Sequence, residues 1–569
     1  MSAETINGAR IVLETLHRLG VTDMFGYPGG AVIPIYDEIY SFPEIKHYFV
    51  RHEQGAAHAA DGYARVSGKV GVCLATSGPG ATNLVTGIMT AYMDSVPMVA
   101  ITGQVGRALI GKDSFQEADI QGITMPITKH NYLVQDIHDL PRIIKEAYFI
   151  AGTGRPGPVL IDIPKDIQTE KISMTEYNKL YDVPIQLEGY DPTYKGHQGQ
   201  IKKAATLIKN AKRPLIIAGA GVLKSGAMAE LKALAEKAQI PVANTLVGLG
   251  GFPGNHELAL GMVGMHGTVA ANNCTEDADL VIAAGIRFHD RITGHPDFFC
   301  KKAKIIHIDI DPAEIDKNVT INVPIVGDLK RVLTELNTLV EPITHESWIT
   351  QIREWQQEYP MVVPESTHGE LHPQYVLSEL NKFAKDDAII VTDVGQHQMW
   401  AAQFLTHKAP HTIVTSGGAG TMGYGLPAAI GAQVGAPDKQ VILVVGDGGF
   451  QMTCEELMMV RQYNLPIKIV IINNGYLGMV RQWQQIFNNR RYSYVDLEVS
   501  PDFLKLADAF DLKAARLDSV DTFNKDFKSY ITSDESIVLD CRVEREDNVL
   551  PMIPAGGTVS GMMGKKGVL

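Results

Sequence analysis

The sequence predicts an α/β protein made of three doubly wound domains, each built on a parallel sheet. The chain has 569 residues, which is too many for one hydrophobic core. Short apolar runs that end near glycine or an acid alternate with helix-like patterns along the chain. Polar, turn-rich stretches near residues 170–200 and 341–368 divide the pattern into three segments.

The first domain is predicted over residues 1–185. Its strand candidates are Val70–Ala75, Met98–Thr102 and Val159–Ile163, and its clearest helices are Gln54–Arg65 and Thr82–Tyr92. Glycine-rich loops at 25–30 and 76–83 follow apolar stretches. By themselves these loops are ordinary tight turns.

The second domain is predicted over residues 198–340, with strands at Pro214–Ala218, Leu280–Ala284 and Ile305–Ile310. The first of these strands runs into Gly-Ala-Gly at 219–221, which resembles the start of a dinucleotide fingerprint but lacks its third glycine. After residue 340, Trp348 and Trp355 are predicted packing anchors in a polar connection.

The third domain is predicted over residues 369–550 and is followed by a glycine-rich tail at 551–569. Its strands are Ala388–Thr392, Val441–Val445 and Ile467–Ile472. A glycine-dense loop over residues 416–425 precedes a helix at Pro427–Gln433.

Two strand ends of the third domain carry groups that suit a metal. One strand runs into Gly446-Asp447-Gly448-Gly449, and the next ends in Asn473-Asn474. Ligands of open α/β sheets bind at the carboxyl ends of the strands. One carboxylate, one amide and a nearby carbonyl suit Mg²⁺, which shares its coordination shell with phosphates. We therefore predict a Mg²⁺-bridged diphosphate; the alternative is a pair of ordinary turns.

Bulk composition excludes several functions. The net charge of −13 argues against a nucleic-acid partner, and no apolar run is long enough to span a bilayer. The five cysteines are scattered and never spaced as C-x-x-C, as expected of a cytoplasmic protein. The stretch from Arg51 to His58 is not a zinc-protease motif, because its two histidines are not four residues apart.

These motifs resemble the thiamin-diphosphate enzymes, and more narrowly the catalytic (large) subunits of the acetohydroxyacid synthase, or acetolactate synthase, family. The resemblance extends over nearly the whole chain. It implies that Asp447, Asn474 and the carbonyl of Tyr476 hold Mg²⁺. It also implies that Glu53, in the stretch RHEQGAAHAADGYAR, activates the aminopyrimidine ring of the cofactor; otherwise Glu53 is only a favourable acid at a helix start.

Further cofactor and substrate contacts follow from the resemblance alone. Gln116 and Lys129 are expected to border the substrate funnel, Met422 to prop the bent cofactor, and Trp483 to shape the pocket of the second 2-keto acid. As alternatives, Lys129 is a surface lysine, and Met422 and Trp483 are plain packing. The other expected thiamin diphosphate contacts are Pro28, Gly29, Gly80, Asn83, Gly395, Gln396, His397, Gly420, Gly446, Gly448, Gly449, Gly478 and Met479.

The same resemblance implies a structural FAD in the second domain, with no net redox change. Arginines suit the FAD pyrophosphate, and acids after strands suit its hydroxyl groups. The alternative is a nucleotide fold with an empty cleft. The expected contacts are Arg155, Gly219, Met265, His266, Gly267, Gly285, Arg287, Arg291, Asp309 and Asp328.

The implied reaction joins pyruvate, after loss of CO₂, to pyruvate or 2-ketobutyrate. The resemblance also implies a homodimer or homotetramer with active sites between subunits, and many members bind a small regulatory subunit. Three departures from the family pattern, Gly106, Ala108 and His289, bear on the substrate channel, on inhibitor sensitivity and on FAD. The rival functions are an FAD-independent catabolic acetolactate synthase, a pyruvate oxidase and a non-catalytic cofactor-binding subunit.

Overall fold

The computed structural model describes residues 5–567; residues 1–4 of the first predicted domain and 568–569 of the predicted tail lie outside this range. Within residues 5–567 the chain forms three six-stranded parallel sheets with flanking helices, and one two-stranded antiparallel sheet. The predicted α/β fold with three parallel sheets is confirmed. In the described range, no helix is both long enough and apolar enough to cross a membrane.

The first sheet has the strand order β3-β2-β4-β5-β7-β6. Strand β1 pairs with β8 beside it, which ties the start of the chain to residues 171–173. The strands are β1 Thr5–Asn7, β2 Asp23–Gly26, β3 Lys46–Phe49, β4 Gly71–Ala75, β5 Met98–Gln104, β6 His130–Leu133, β7 Pro158–Pro164 and β8 Lys171–Ser173. The helices are α1 Gly8–Arg18, α2 Ile33–Tyr40, α3 Glu53–Ser67, α4 Pro79–Asn83, α5 Val85–Met93, α6 Ile120–Thr124, α7 Leu140–Gly152, α8 Lys165–Thr169 and α9 Met174–Asp182.

The second sheet has the order β11-β10-β9-β12-β13-β14. Its strands are β9 Pro214–Ala218, β10 Val242–Asn244, β11 Ala259–Met262, β12 Leu280–Ala284, β13 Lys304–Asp309 and β14 Val323–Val326. The helices of this part are α10 Gln198–Asn210, α11 Ala220–Lys224, α12 Met228–Lys237, α13 Val269–Asp277, α14 Asp290–Thr293, α15 Leu329–Leu339 and α16 Glu346–Glu358. Helix α16 belongs here because the Trp348 indole donates to the Pro214 carbonyl at 3.0 Å, so the predicted polar connection is partly helical.

The third sheet has the order β16-β15-β17-β18-β20-β19. Its strands are β15 Ile389–Thr392, β16 Ile413–Val414, β17 Val441–Gly446, β18 Lys468–Asn473, β19 Ala514–Leu517 and β20 Ile537–Arg542. Its helices are α17 Pro373–Phe383, α18 Gln396–Phe404, α19 Gly425–Gly435, α20 Asp447–Gln451, α21 Leu457–Gln462, α22 Gly478–Phe487, α23 Phe503–Ala509 and α24 Val520–Thr532. Residues 551–563 then fold back, and Ile553 and Met562 pack on Val269.

Each parallel sheet grows first toward one edge and then, from the strand with which it began, toward the other edge. Ligands of such sheets bind at that reversal. The reversal lies between β2 and β4 in the first sheet, between β9 and β12 in the second, and between β15 and β17 in the third. The glycine-rich loops singled out in the sequence follow these strands. The topology therefore places a crevice beside each predicted binding loop.

Helices α3 and α19 join the first and third domains through a close backbone approach. A methyl group added at Gly62 would overlap the carbonyl oxygen of Ala428, and one added at Gly431 would overlap that of Ala59. The Tyr424 hydroxyl donates to Asp61 at 2.5 Å across this contact. One buried apolar cluster is shared by both domains, so they pack as one body within the chain.

Candidate active site

A cavity at the carboxyl edge of the third sheet collects most of the predicted diphosphate and metal residues. It lies at the reversal between β15 and β17, as the topology requires. Of the predicted residues, those that line it are Gly395, Gln396, His397, Met422, Gly446, Asp447, Gly448, Gly449, Asn474, Tyr476, Gly478 and Met479. Gly420 does not line the cavity.

Asp447 is the buried acid of this cavity, and its surroundings suit a bound cation. Its side chain is only 1% exposed, and within residues 5–567 its Oδ2 has no hydrogen-bond partner. Burial raises the pKa of Asp447 to about 7, although backbone N–H groups, including that of Gly448, favour the ionised form. A buried carboxylate without a partner is costly, so a Mg²⁺ ion fits this position.

Asn474 is held by a chain of amides that the sequence analysis did not identify. Its Nδ2 donates to Gln396 Oε1 at 3.1 Å, and Gln396 in turn donates to Gln482 at 2.8 Å and to the Asp547 carbonyl at 2.9 Å. The Asn474 Oδ1 accepts from the Tyr476 N–H at 3.1 Å and keeps a second lone pair. The amide oxygen is therefore held in place and can still bind a metal.

Two glycines of the cavity pack closely against its other residues, and one histidine nitrogen has no partner in the described part of the chain. A methyl group at Gly448 would lie 2.7 Å from the Leu477 side chain, and one at Gly478 would overlap Gln396 Oε1. His397 Nε2 is buried with no partner among residues 5–567, and burial lowers the pKa of His397 to about 3. The ring is thus neutral, and its free nitrogen is available to a bound ligand.

Asp393 positions the glycine-dense loop that carries Met422. Its carboxylate accepts the N–H groups of Val394 at 2.8 Å, Gly423 at 3.2 Å and Gly425 at 2.7 Å. The sequence signal for this residue is an acid placed directly after the apolar strand β15. Its role could not be predicted, because its partners are backbone groups that no motif reveals.

A second group of predicted residues gathers at the first sheet. Glu53 begins helix α3, and its Oε2 accepts from Asn83 Nδ2 at 2.9 Å. A methyl group at Gly80 would lie 3.1 Å from Glu53 Oε1 and 2.7 Å from Thr76 Cγ2. Thr76 also accepts the Ala31 N–H at 3.0 Å. Thr76, whose own role was not predicted, therefore joins the two glycine-rich loops at 25–30 and 76–83.

The start of helix α3 is fixed by the third domain of the same chain. Glu456 is buried and accepts the N–H of Arg51 and the N–H of His52, each at 3.0 Å. A methyl group at Gly55 would overlap the same carboxylate. The position of Glu53 thus depends on a contact between two domains, which the sequence analysis could not identify.

Within the described range, the two groups of predicted residues do not line one common cavity. The diphosphate cavity is lined by residues between 394 and 480. The predicted residues at the first sheet are not among them, namely Pro28, Gly29, Glu53, Gly80 and Asn83. One chain therefore presents two separate half-sites.

The predicted substrate residues occupy different surroundings. Gln116 has a left-handed backbone with φ of 58°, and its carbonyl oxygen would lie 2.7 Å from a methyl group added at Gly78, in the glycine-rich loop at 76–83. Such strain is common at functional loops. Trp483 is half-buried on α22, with the Arg291 guanidinium 5.9 Å from its ring centroid.

The Lys129 side chain binds the end of helix α7. Its ammonium group donates to the Ile150 carbonyl, to the Thr153 carbonyl at 2.7 Å and to the Tyr190 hydroxyl at 2.9 Å. An ammonium group has three N–H donors, and all three are used where helix α7 ends. These contacts fix the position of the lysine, and its expected place at the border of the substrate funnel stays a prediction.

A larger cleft lies at the reversal between β9 and β12. Six of the predicted FAD residues line it: Arg155, Gly219, Gly285, Arg287, Asp309 and Asp328. A methyl group at Gly221 would lie 2.6 Å from the Gly285 Cα, so the two loops cross at backbone contact. Among residues 5–567, the Arg287 side chain has no hydrogen-bond or ion-pair partner, and burial lowers its pKa. An unpartnered, half-buried guanidinium fits a ligand phosphate.

The remaining predicted FAD residues contact other parts of the chain. Met265, His266, Gly267 and Arg291 do not line the cleft. The Met265 carbonyl accepts the Ile553 N–H at 2.7 Å, and the His266 carbonyl accepts from Gln403 at 3.0 Å. This stretch therefore binds the returning tail and the third domain. His289, noted as a departure from the family pattern, does line the cleft.

Comparison with known proteins identifies the family. Three thiamine pyrophosphate enzyme models match in succession: the N-terminal TPP binding domain over residues 6–123, the central domain over 201–336 and the C-terminal TPP binding domain over 393–541. The acetolactate synthase large subunit of Lactococcus lactis is 48% identical over 98% of this chain and 96% of its own. The chain belongs to the acetolactate synthase large-subunit family. The resemblance predicted from sequence is confirmed.

Other members of the family are equally similar. The acetolactate synthase of Arthrospira platensis is 49% identical over 99% of this chain and 98% of its own. The acetolactate synthase large subunit of Pyropia yezoensis is 49% identical over 98% of this chain and 95% of its own. The likeness thus includes all three sheets, and the chain is a thiamin-diphosphate-dependent enzyme of the acetolactate synthase type.

Proposed function

We propose that this protein decarboxylates pyruvate on thiamin diphosphate and adds the two-carbon unit to a second 2-keto acid. The products are 2-acetolactate from pyruvate and 2-aceto-2-hydroxybutyrate from 2-ketobutyrate, and we assign the reaction to the first step of branched-chain amino acid biosynthesis in the cytoplasm. The observation that carries this proposal is the buried carboxylate of Asp447, whose Oδ2 has no partner among residues 5–567, in the same cavity as Asn474 and in a chain of this family.

Mg²⁺ would be held by Asp447, Asn474 and the Tyr476 carbonyl. Hard oxygen ligands and a shared phosphate are what this ion prefers. The amide chain from Asp547 through Gln396 keeps Asn474 from turning its nitrogen to the metal. The ion would neutralise the Asp447 carboxylate and the diphosphate together.

Glu53 would manage the proton at the other end of the cofactor. When bound, thiamin diphosphate supplies a carbon nucleophile and an electron sink for the loss of CO₂. Asn83 engages one oxygen of Glu53 and leaves the other to hold or release a proton at the pyrimidine ring. Met422 lies in the loop whose backbone N–H groups Asp393 binds, and its side chain would support the bent cofactor.

FAD would lie in the cleft between β9 and β12. Arg287 and Arg155 would meet its pyrophosphate, and Asp309 and Asp328, each at the end of a strand or the start of a helix, would accept from its hydroxyl groups. In this proposal the flavin holds the second domain in shape and carries no electrons in the net reaction.

A second copy of the chain would complete each active site. Large apolar side chains are exposed on the first domain, where Phe115 is 88% exposed, and on the third, where Tyr494 is fully exposed. A homodimer or homotetramer would bring the Glu53 half-site of one subunit to the Asp447 half-site of another. We extend the proposal to a small regulatory subunit, which the names of several large-subunit relatives suggest.

The test is product analysis of the purified protein with pyruvate, thiamin diphosphate, Mg²⁺ and FAD. We expect acetolactate, detected as acetoin after acid treatment, without peroxide. Peroxide would indicate a pyruvate oxidase, acetaldehyde a decarboxylase, and full activity without flavin a catabolic enzyme. No consumption of pyruvate would reject the proposal.

A further inference from the structure

All three domains meet at one turn, formed by Asp94 and Ser95 between helix α5 and strand β5. Asp94 is 5% exposed, and Ser95 has a left-handed backbone with φ of 56°. Both residues line the cleft between β9 and β12. Neither was singled out in the sequence, because every contact that distinguishes this turn comes from another part of the chain.

On one side, the turn holds the loop of the third domain that carries Met422. The Asp94 carboxylate accepts the N–H of Gly417 at 2.9 Å and the N–H of Gly418 at 2.8 Å. Arg65 donates to the same carboxylate at 2.9 Å. Burial opposes the ionisation of Asp94, but Arg65 and the Gly417 N–H hold its pKa below the ordinary value, so the loop is bound by a charged group.

On the other side, two cations that line the cleft hold the same turn. Lys224 donates to the Asp94 carbonyl and, at 2.6 Å, to the Ser95 carbonyl. Arg155 Nε donates to Ser95 Oγ at 2.8 Å. Lys224 keeps one N–H donor, and Arg155 keeps its Nη2 group. Each can therefore bind an anion in the cleft while it still holds the turn.

We propose that the Asp94–Ser95 turn couples the two cofactor sites, with Asp94 as a positioning residue for the thiamin loop. An anionic dinucleotide in the cleft binds Lys224 and Arg155, which hold the turn in place through hydrogen bonds. The turn in its place then binds the N–H groups of Gly417 and Gly418. The inference rests on the proposed function for the identity of the two ligands. It gives a flavin without a redox role a physical means of supporting thiamin chemistry.

Coupling of this kind is reciprocal, so each ligand changes the affinity of the other by the same factor. The test measures the Kd of FAD with and without saturating thiamin diphosphate and Mg²⁺, by quenching of flavin fluorescence. The wild-type ratio of the two Kd values is expected to be about 5 or more. Asp94→Asn, which cannot bind both loop N–H groups, is expected to bring the ratio to within about twofold of unity.

Two further variants keep the result interpretable. Lys224→Met retains the aliphatic stem and leaves Asp94 in place, so it tests the coupling even where Asp94→Asn unfolds. The ratio of the two FAD Kd values should again approach unity in this variant. Asp309→Asn alters the cleft at a strand end away from the turn; it should weaken FAD binding and keep the wild-type ratio.

A wild-type ratio near unity, or an unchanged ratio in both Asp94→Asn and Lys224→Met, would overturn the coupling while both cofactors still bind. If the wild-type protein binds no FAD, both the proposed flavin site and the proposed coupling are rejected. The reciprocity of the coupling gives a second check. The Kd of thiamin diphosphate should shift by the same factor when FAD is added.

Discussion

At the scale of single residues, Glu53 is expected to control turnover without affecting the fold. In Glu53→Gln the side-chain carbonyl can still accept from Asn83, but the amide cannot exchange a proton with the cofactor. We expect cofactor binding and thermal stability to stay near wild type, and acetolactate formation to fall about 10²- to 10⁴-fold. Glu346→Gln is the matched control, because Glu346 is an exposed acid that also begins a helix. Turnover near wild type in Glu53→Gln would contradict the assignment.

Trp483 is expected to influence which acceptor is used. A bulky ring can discriminate one methylene by about 1–3 kcal/mol. In Trp483→Leu we expect the preference for 2-ketobutyrate over pyruvate to drop, as measured by product ratios in a competition assay with both acids present. Phe487→Leu, one turn further along the same helix, is the control and should leave the ratio unchanged. An unaltered ratio in Trp483→Leu would assign the ring to packing.

Residue roles could be predicted where the chain itself carries the signal. Asp447 and Asn474 were found because each ends a recognisable apolar strand, and the structure places both in one cavity. Asp393 and Thr76 act on backbone groups distant in sequence, which no local pattern encodes. The contacts of Lys129 could not be predicted either, because its partners are two carbonyls and a hydroxyl supplied by later segments.

At the scale of elements, the α3–α19 contact depends on glycine. A methyl group at Gly431 would overlap the Ala59 carbonyl, and backbone atoms cannot move aside cheaply. Overpacking of this kind costs about 1–3 kcal/mol or more, so Gly431→Ala should lower the midpoint of thermal unfolding. Gly152→Ala is the control, since its added methyl group would lie 3.5 Å from Val70. Equal midpoints for both variants would show that the helices can separate without penalty.

Strands were predicted more accurately than helix breaks. The predicted ranges Pro214–Ala218 and Leu280–Ala284 agree with β9 and β12, because a strand buried on both faces reads as an unbroken apolar run. The predicted helix at Thr82–Tyr92 is instead two helices that meet at Leu84. Short edge strands such as β16 carry too few residues for a pattern.

At the scale of the whole molecule, the three-domain architecture followed from the sequence because each sheet repeats the same pattern of apolar runs and glycine loops. The way in which the domains pack did not follow. It rests on single contacts between distant segments, such as Glu456 with the N–H groups of Arg51 and His52. The separation of the two half-sites within one chain is likewise a property of the assembled fold.

That separation gives the last prediction, on the assembly of the active site. Glu53→Gln and Asp447→Ala chains should each be inactive alone. If each site takes Glu53 from one subunit and Asp447 from its partner, a mixed dimer regains one intact site. Random mixing by co-expression or by unfolding and refolding should then restore about one quarter of wild-type activity, since half of the dimers are mixed and each has one of two sites intact. No recovery, with mixed dimers verified by two affinity tags, would place both residues of a working site in one chain.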